Sequence, residues 1–363
     1  MEVLKKYDKL YSDALCIYNP YKAMPYRISR SIPIYDKQAY DLHPKHKFVY
    51  DKLFIVQSQF IKGGVLSDLK DKQDIEYPIF IKPRWGHKTS TSKDCYKIKS
   101  YDDLKSHFDK KDMMWSEFID ATEGMTDFIL VNGTIVFQMT YVYSEKQYGF
   151  ADVWKYISSE NQPPPDIVEW VNKYMTDYTG PVNVQYRSNK IIEVGLRFAR
   201  SGMYLESTEN KTLIDAINYL GEHKTWTCRE TITIEPFYSF KCWCPIPILC
   251  LLPQHVIDIG MKIGGSMTFY EYYFEPTGKN GLIFFQFLHK NFETGMKIKE
   301  LLERLMLFIN CIFIMACIYI ILCKIINIEC KFAWFVAIGI FLGSLINSPE
   351  LVYTQLSHQQ QFI

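Results

Sequence analysis

Lys82 closes an apolar run, IEYPIFIKP, where an ordinary solvated lysine would be out of place. A polar, small-residue stretch, RWGHKTSTSKD, follows it and reads as a loop. Gln185 and Glu193 lie eight residues apart within PVNVQYRSNKIIEVGLRF, on either side of Ser188-Asn189. If the chain turns there, the two become cross-strand partners whose oxygens can converge on one face. Arg197 and Arg200 bracket Phe198-Ala199 just beyond that hairpin. Asp127 is expected to begin a strand, a setting in which Asp is depleted, so a structural polar role is expected of it rather than catalysis. Cys242, Cys244 and Cys250 form C-W-C-x5-C. Zinc sites usually take a C-x2-C pair with a second ligand pair. No second pair is evident, so reduced thiols are the expectation.

The elements that must hold these residues alternate between strands and helices. HKFVYDKLFIVQSQF has helical spacing, with Phe48, Leu53, Val56 and Phe60 on one stripe. CYKIKS and MMWSEFI read as strands. Asp102 to Lys110 reads as a helix capped by Ser100. TDFILVNGTIVFQMTYVY is a hairpin turning at Asn132-Gly133, the pair favoured in type I′ turns. PDIVEWVNKYMTDY carries a stripe through Ile167, Val171 and Met175. A further helix runs from Asn210 to Leu220 and is expected to end at Gly221 in the left-handed conformation. Helices mixed with antiparallel hairpins give an α+β class.

Four of these stretches, in this order and spacing, resemble the ATP-grasp superfamily. They are VYDKL before the first helix, YPIFIKPRWGHKTS, SEFIDATEGMTDFILVNGTIV with Glu117, Glu123 and Asp127, and VNVQYRSNKIIEVGLRFARSG. The last resembles the metal-binding hairpin of carbamoyl-phosphate synthase-like and carboxylate–amine ligase-like ATP-binding domains. The resemblance covers residues 45–225 and implies two α+β subdomains gripping ATP.

ATP carries about four negative charges, so cations and backbone donors must surround its phosphates. The resemblance implies that Lys52 and Lys82 approach them, with the loop of Gly86 and Ser90 folding over. It implies that Glu117, Phe118 and Ile119 contact adenine, and that Glu123 accepts hydrogen bonds from the ribose. Gln185 and Glu193 would hold Mg (or Mn), a hard cation that prefers oxygen. The resembled pattern has Asn as a third ligand where this chain has Gly195. Arg197 and Arg200 would take the catalytic positions that stabilise the phosphates or an acyl-phosphate.

The whole chain sets further bounds. It has 363 residues, with 41 Lys plus Arg against 40 Asp plus Glu, and the resulting net charge of +1 gives no reason to expect nucleic acid. Four segments are expected. Residues 1–45 lack the full domain that precedes ATP-grasp domains in relatives, and residues 46–225 are the ATP-grasp domain. Residues 226–296 form a small β-rich accessory region. Residues 297–363 form a membrane anchor with apolar runs at 305–323 and 332–346. The first run is nineteen uncharged residues, or about 28 Å of helix, close to a bilayer core. The anchor is therefore expected as one transmembrane segment or a hairpin in contact with lipid, with the ATP-binding domain facing the cytoplasm. The Tyr-, Ile- and Lys-rich style resembles that of large DNA viruses, which extends the expectation to a host or viral membrane. The leading function is an ATP- and Mg-dependent ligase that activates a small-molecule or peptide carboxylate as an acyl-phosphate for attack by an amine or other nucleophile. The alternative is a catalytically degenerate nucleotide-binding scaffold at a membrane.

Overall fold

The computed structural model describes residues 28–72, 74–88, 94–147, 151–206, 208–245, 269–276, 282–325, 334 and 336–338. Among these, residues 28–143 and 157–235 form one compact unit; residues 144–156 and those from 236 onward form a second.

The first unit opens with helix α1 (Asp36–Leu42). A 3-10 turn at Lys47–Tyr50 then leads into helix α2 (Lys52–Ser58). Asp51 caps α2, its Oδ1 accepting from the Leu53 N–H at 3.0 Å, which satisfies one of the free donors of the first turn. The expected single stripe breaks here. Phe60 has φ 57° and is 95% exposed. The cause is Gln59. Its amide donates to the Ile191 carbonyl at 2.9 Å and accepts from the Ile191 N–H at 2.7 Å, which turns the chain out of the helix. Leu53 and Val56 of α2 pack with Ile61 and Met114, while Ile55 enters a second core with Val184, Ile191 and Val194. The helix is wedged between two apolar clusters, and Lys52 stands at its first position.

Strands β1 (Gly63–Val65), β2 (Ile79–Pro83), β3 (Tyr96–Ile98) and β4 (Met113–Glu117) form an antiparallel sheet in the order β1-β4-β2-β3. Helix α3 (Tyr101–Lys105), shorter than expected, lies between β3 and β4 in sequence. Ser100 caps it, accepting from the Asp103 N–H at 3.2 Å. Ile79, Ile81, Ile98 and Leu104 build this sheet's core.

Strands β5 (Glu123–Val131) and β6 (Thr134–Tyr143) are the expected hairpin. Asn132 and Gly133 both have positive φ, 47° and 80°, as a type I′ turn requires. Strands β7 (Lys146–Gln147) and β8 (Ala151–Asp152) pair in the second unit, and the unit boundary falls within β9 (Trp154–Ser158). Helix α4 (Pro165–Tyr174) starts on a proline, which needs no hydrogen-bond partner in a first turn. It buries Ile167, Trp170 and Val171. Strands β10 (Gly180–Arg187) and β11 (Lys190–Gly195) turn at Ser188, whose φ is 52°. In the first unit the strands run β11-β10-β5-β6, all antiparallel. Asp127 does not begin a strand; it lies mid-way along β5 and is buried. A short helix α5 (Met203–Glu206) precedes α6 (Lys211–His223). The left-handed residue ending α6 is Lys224, not Gly221. Gly221 is instead a point of close approach, where a Cβ would stand 2.3 Å from Ser31 Oγ.

In the second unit β12 (Phe237–Cys244), β13 (Phe269–Pro276) and β14 (Leu282–His289) pair antiparallel in the order β12-β14-β13. Helix α7 (Phe292–Ile325) is 34 residues long and packs its first turns on β12 and β14. Gly295 permits that approach, because a Cβ there would lie 2.1 Å from the Phe240 ring. Leu302, Met306 and Asn310 continue the buried stripe, and the Asn310 amide donates to the Met306 carbonyl at 2.9 Å. Beyond it Met315, Ile318, Tyr319, Ile321, Leu322 and Ile325 are exposed. The helix is long and apolar enough to cross a membrane. Most of the second apolar run, 332–346, and the cysteine at 250 lie outside the described residues.

Candidate active site

Three elements of the first unit bring Lys52, Lys82 and Glu193 together. The α2 start presents Lys52, the end of β2 presents Lys82, and β11 presents Glu193. Lys52 Nζ lies 3.3 Å from Glu193 Oε1. Lys82 Nζ donates to the Ile192 carbonyl at 2.8 Å. Both lysines are buried, yet neither sits in an apolar pocket. Burial, and then the charge of Lys52, pushes the Lys82 pKa down to about 8; Glu193 opposes this. Burial raises the Glu193 pKa, but Lys52, Lys82 and Arg197 outweigh it and hold the carboxyl below its ordinary value. An anion entering such a cluster would meet cations already stripped of much of their water, so attraction counts for more there than at a surface.

Gly86 begins the turn after β2, and a Cβ on it would stand 3.4 Å from Glu193 Oε1 and 3.5 Å from Lys52 Cε. The backbone of this turn therefore runs directly beside the charged cluster. His87 stacks on Tyr40 with ring centroids 3.7 Å apart, and Lys88 lies 3.8 Å from Asp112. Ser90 lies outside the described residues.

Gln185 and Glu193 are direct partners in the β10–β11 register, so both side chains leave the same face. Two oxygens on one face suit a divalent cation that keeps water and phosphate as its other ligands. Among the described residues no group of three or more His, Cys, Asp or Glu could hold a metal ion. A fit to magnesium thus rests on this amide–carboxylate pair.

Glu117, Phe118 and Ile119 follow one another out of β4. The Glu117 N–H already donates to the Lys62 carbonyl at 2.8 Å and the Phe118 N–H to the Pro78 carbonyl at 3.3 Å. The Ile119 carbonyl accepts from Arg187 at 3.1 Å. Two cations lie near the Phe118 ring, Lys97 Nζ at 3.7 Å and the Arg187 guanidinium at 5.8 Å from its centre. Glu123 opens β5 opposite Arg187, with which it pairs at 3.3 Å. Arg187 had no motif to mark it in the sequence, because its position opposite Glu123 comes from the long-range pairing of β10 with β5.

Arg197 lies just after β11. Its Nη2 donates to Asp36 Oδ2 at 2.6 Å and its Nη1 to the Phe198 carbonyl at 3.0 Å. Arg200 has φ 48° in the 3-10 turn that follows. Asp127 supports this turn from below. Its carboxylate accepts from Tyr141 Oη at 2.6 Å, Asn183 Nδ2 at 2.8 Å and the Ala199 N–H at 3.0 Å. Two open clefts of about 530 and 540 Å³ lie elsewhere, around Gln138, Val168 and Asn172, and are lined by no lysine or arginine. The charged cluster, not these clefts, has the chemistry for a polyphosphate.

No family model matches the sequence, and no curated protein matches it. Solved structures do resemble it. An L-amino acid ligase from Bacillus licheniformis is 16% identical, with 70% of this chain and 71% of that chain covered, at a TM-score of 0.51. An N5-carboxyaminoimidazole synthetase from Staphylococcus aureus, solved with ADP, is 13% identical over 73% of this chain and 76% of that chain, at a TM-score of 0.49. The chain has the ATP-grasp fold.

Proposed function

We propose that this chain of ATP-grasp fold is an ATP- and magnesium-dependent ligase held at a membrane by α7. The observation that carries the reading is the convergence of Lys52, Lys82 and Glu193 beside the Gly86 turn. Lys52 and Lys82 would bind the β- and γ-phosphates, and the Gly86 turn would close over them. Phe118 and Ile119 would border the adenine. Among the described residues the Ile119 N–H has no acceptor, which leaves it available to a base edge. Glu123 would take the ribose hydroxyls. Gln185 and Glu193 would hold the magnesium ion, which when bound neutralises phosphate charge.

The chemistry assigned to this site runs in two steps. A substrate carboxylate oxygen attacks the γ-phosphorus, and the bond to the β–γ bridging oxygen breaks with its electron pair leaving on ADP. An amine then attacks the acyl carbon, loses a proton, and expels inorganic phosphate. Lys82 and Arg197 stabilise the transferring group by fixed charge, the largest kind of contribution in such sites. The neighbour named as an L-amino acid ligase supports a carboxylate and an amine as the reacting groups. The exposed apolar half of α7 supports lipid contact, and the need for ATP supports a cytoplasmic orientation.

Acyl-phosphate chemistry leaves a label. Full-length protein in detergent is incubated with ATP, magnesium and a panel of amino acids and other acids bearing 18O in the carboxylate. One labelled oxygen must pass into inorganic phosphate. Phosphate released without label rules out carboxylate activation. ATP binding with no release across the panel favours the non-catalytic scaffold, a reading to which Gly195 gives some support.

A further inference from the structure

Helix α1 carries into this site a carboxylate that no motif marked. Asp36 Oδ2 accepts from Arg197 at 2.6 Å. Its Oδ1 lies 2.8 Å from the place a Cβ on residue 195 would take, closer than real Cβ contacts come. The Asp36 carboxylate thus lies where a side chain at 195 would begin, and any residue other than glycine there would have to displace it. The same helix reaches the phosphate turn as well, through the stack of Tyr40 on His87. Thus α1 touches both the arginine after β11 and the turn after β2. Resting on the nucleotide reading above, we propose that Asp36 is a positioning residue of the site. Its carboxylate occupies the space of a side chain at 195 and fixes the Arg197 guanidinium for phosphate contact.

Removing Asp36 has two opposing effects. Three cations, Lys52, Lys82 and Arg197, share the site with two carboxylates, Glu193 and Asp36. Loss of one carboxylate raises the positive charge, which on its own would tighten polyphosphate binding. It also frees a long side chain that otherwise keeps only the bond to the Phe198 carbonyl. Guanidinium recognition of phosphate depends on a fixed fork, and ordering a free arginine costs side-chain entropy. Orientation is the larger effect in this account, so Asp36→Ala weakens ATP binding.

The test uses full-length protein in detergent and titrates ATP with magnesium and, separately, adenosine, which lacks phosphates. Asp36→Ala is expected to weaken ATP at least tenfold and adenosine less than threefold. A purely structural role would weaken both alike, and that result overturns the proposal. Equal or tighter ATP binding by Asp36→Ala also overturns it. The double variant Asp36→Ala with Gly195→Asp moves the carboxylate onto β11 and is expected to recover most of the lost affinity; no recovery counts against the proposal. Should Asp36→Ala fail to fold, Asp36→Asn keeps the volume and is expected to lose ATP affinity selectively. Wild-type protein that binds no ATP removes the nucleotide reading and this proposal together. Wild-type binding with an unaffected Asp36→Ala removes this proposal alone.

Discussion

Lys82 gives the proposed phosphate site a pH signature. Its pKa in the folded protein is about 8, against 10.5 for an ordinary lysine, chiefly because it is buried. Between those values the unfolded chain holds a proton that the folded one has released. The contribution of Lys82 to stability therefore rises as pH increases from about 8 towards 10.5. Phosphate binding needs the charged form, so ATP affinity should fall over the same range. Titrations of MgATP from pH 7 to 9.5 should show this weakening, and Lys82→Arg, which stays charged, should flatten it. An equally steep fall in Lys82→Arg would assign the effect to another group. Lys82 was legible in the sequence because a cation interrupts an apolar run. Asp36 was not, because its partner Arg197 lies 161 positions away and nothing local to Asp36 signals the pair.

At the scale of elements, the β5–β10–β11 region depends on one buried acid. Asp127 on β5 ties Asn183 on β10 and the Ala199 N–H after β11 to a single carboxylate. It thereby fixes the turn that carries Arg197 and Arg200. Removing it leaves three buried donors without an acceptor, each costing about 1–3 kcal/mol if unrelieved. Asp127→Ala should therefore destabilise by roughly 2–5 kcal/mol in chemical denaturation, and Tyr141→Phe, which loses one donor, by about 1 kcal/mol. Burial raises the Asp127 pKa to about 6, with its three donors pulling the other way. Its contribution to stability is thus full below about pH 4 and declines as pH rises through 6. Tyr141→Phe as costly as Asp127→Ala would show that the carboxylate is not the hub. Both hairpins were legible, since Asn132-Gly133 and the alternation around Ser188 are local signals. The strand position of Asp127 and the end of α2 were not. Each is decided by residues distant in sequence, the pairing with β10 that carries β5 back to Glu123 in one case and Ile191 in the other.

At the scale of the molecule, α7 has two environments along one helix. Its first half is core, with Leu302, Met306 and Asn310 buried, and its second half exposes large apolar side chains. Left in water, that surface costs about 25 cal/mol per Å², a cost that lipid removes. Full-length protein should resist alkaline extraction from membranes. A chain ending at Ile312 should keep the second unit folded but lose the membrane, whereas one ending at Asn291 should lose the fold of that unit. Membrane retention by the Ile312 truncation would contradict an anchor in α7. The apolar run was plain from composition; the helix's start at Phe292 was not, because its first turns are amphipathic and are defined by packing on Phe240. The proposed ligase activity depends on nucleotide binding at the Lys52–Lys82–Glu193 cluster. Its most direct test is the stabilisation of full-length protein in detergent by MgATP, wild type against Lys82→Ala. Ligand at about 100 times its dissociation constant should stabilise the wild type by roughly 2.7 kcal/mol, and Lys82→Ala should lose most of that gain while keeping its apo stability. Equal stabilisation of the two proteins, or none of either, would contradict nucleotide binding at this cluster.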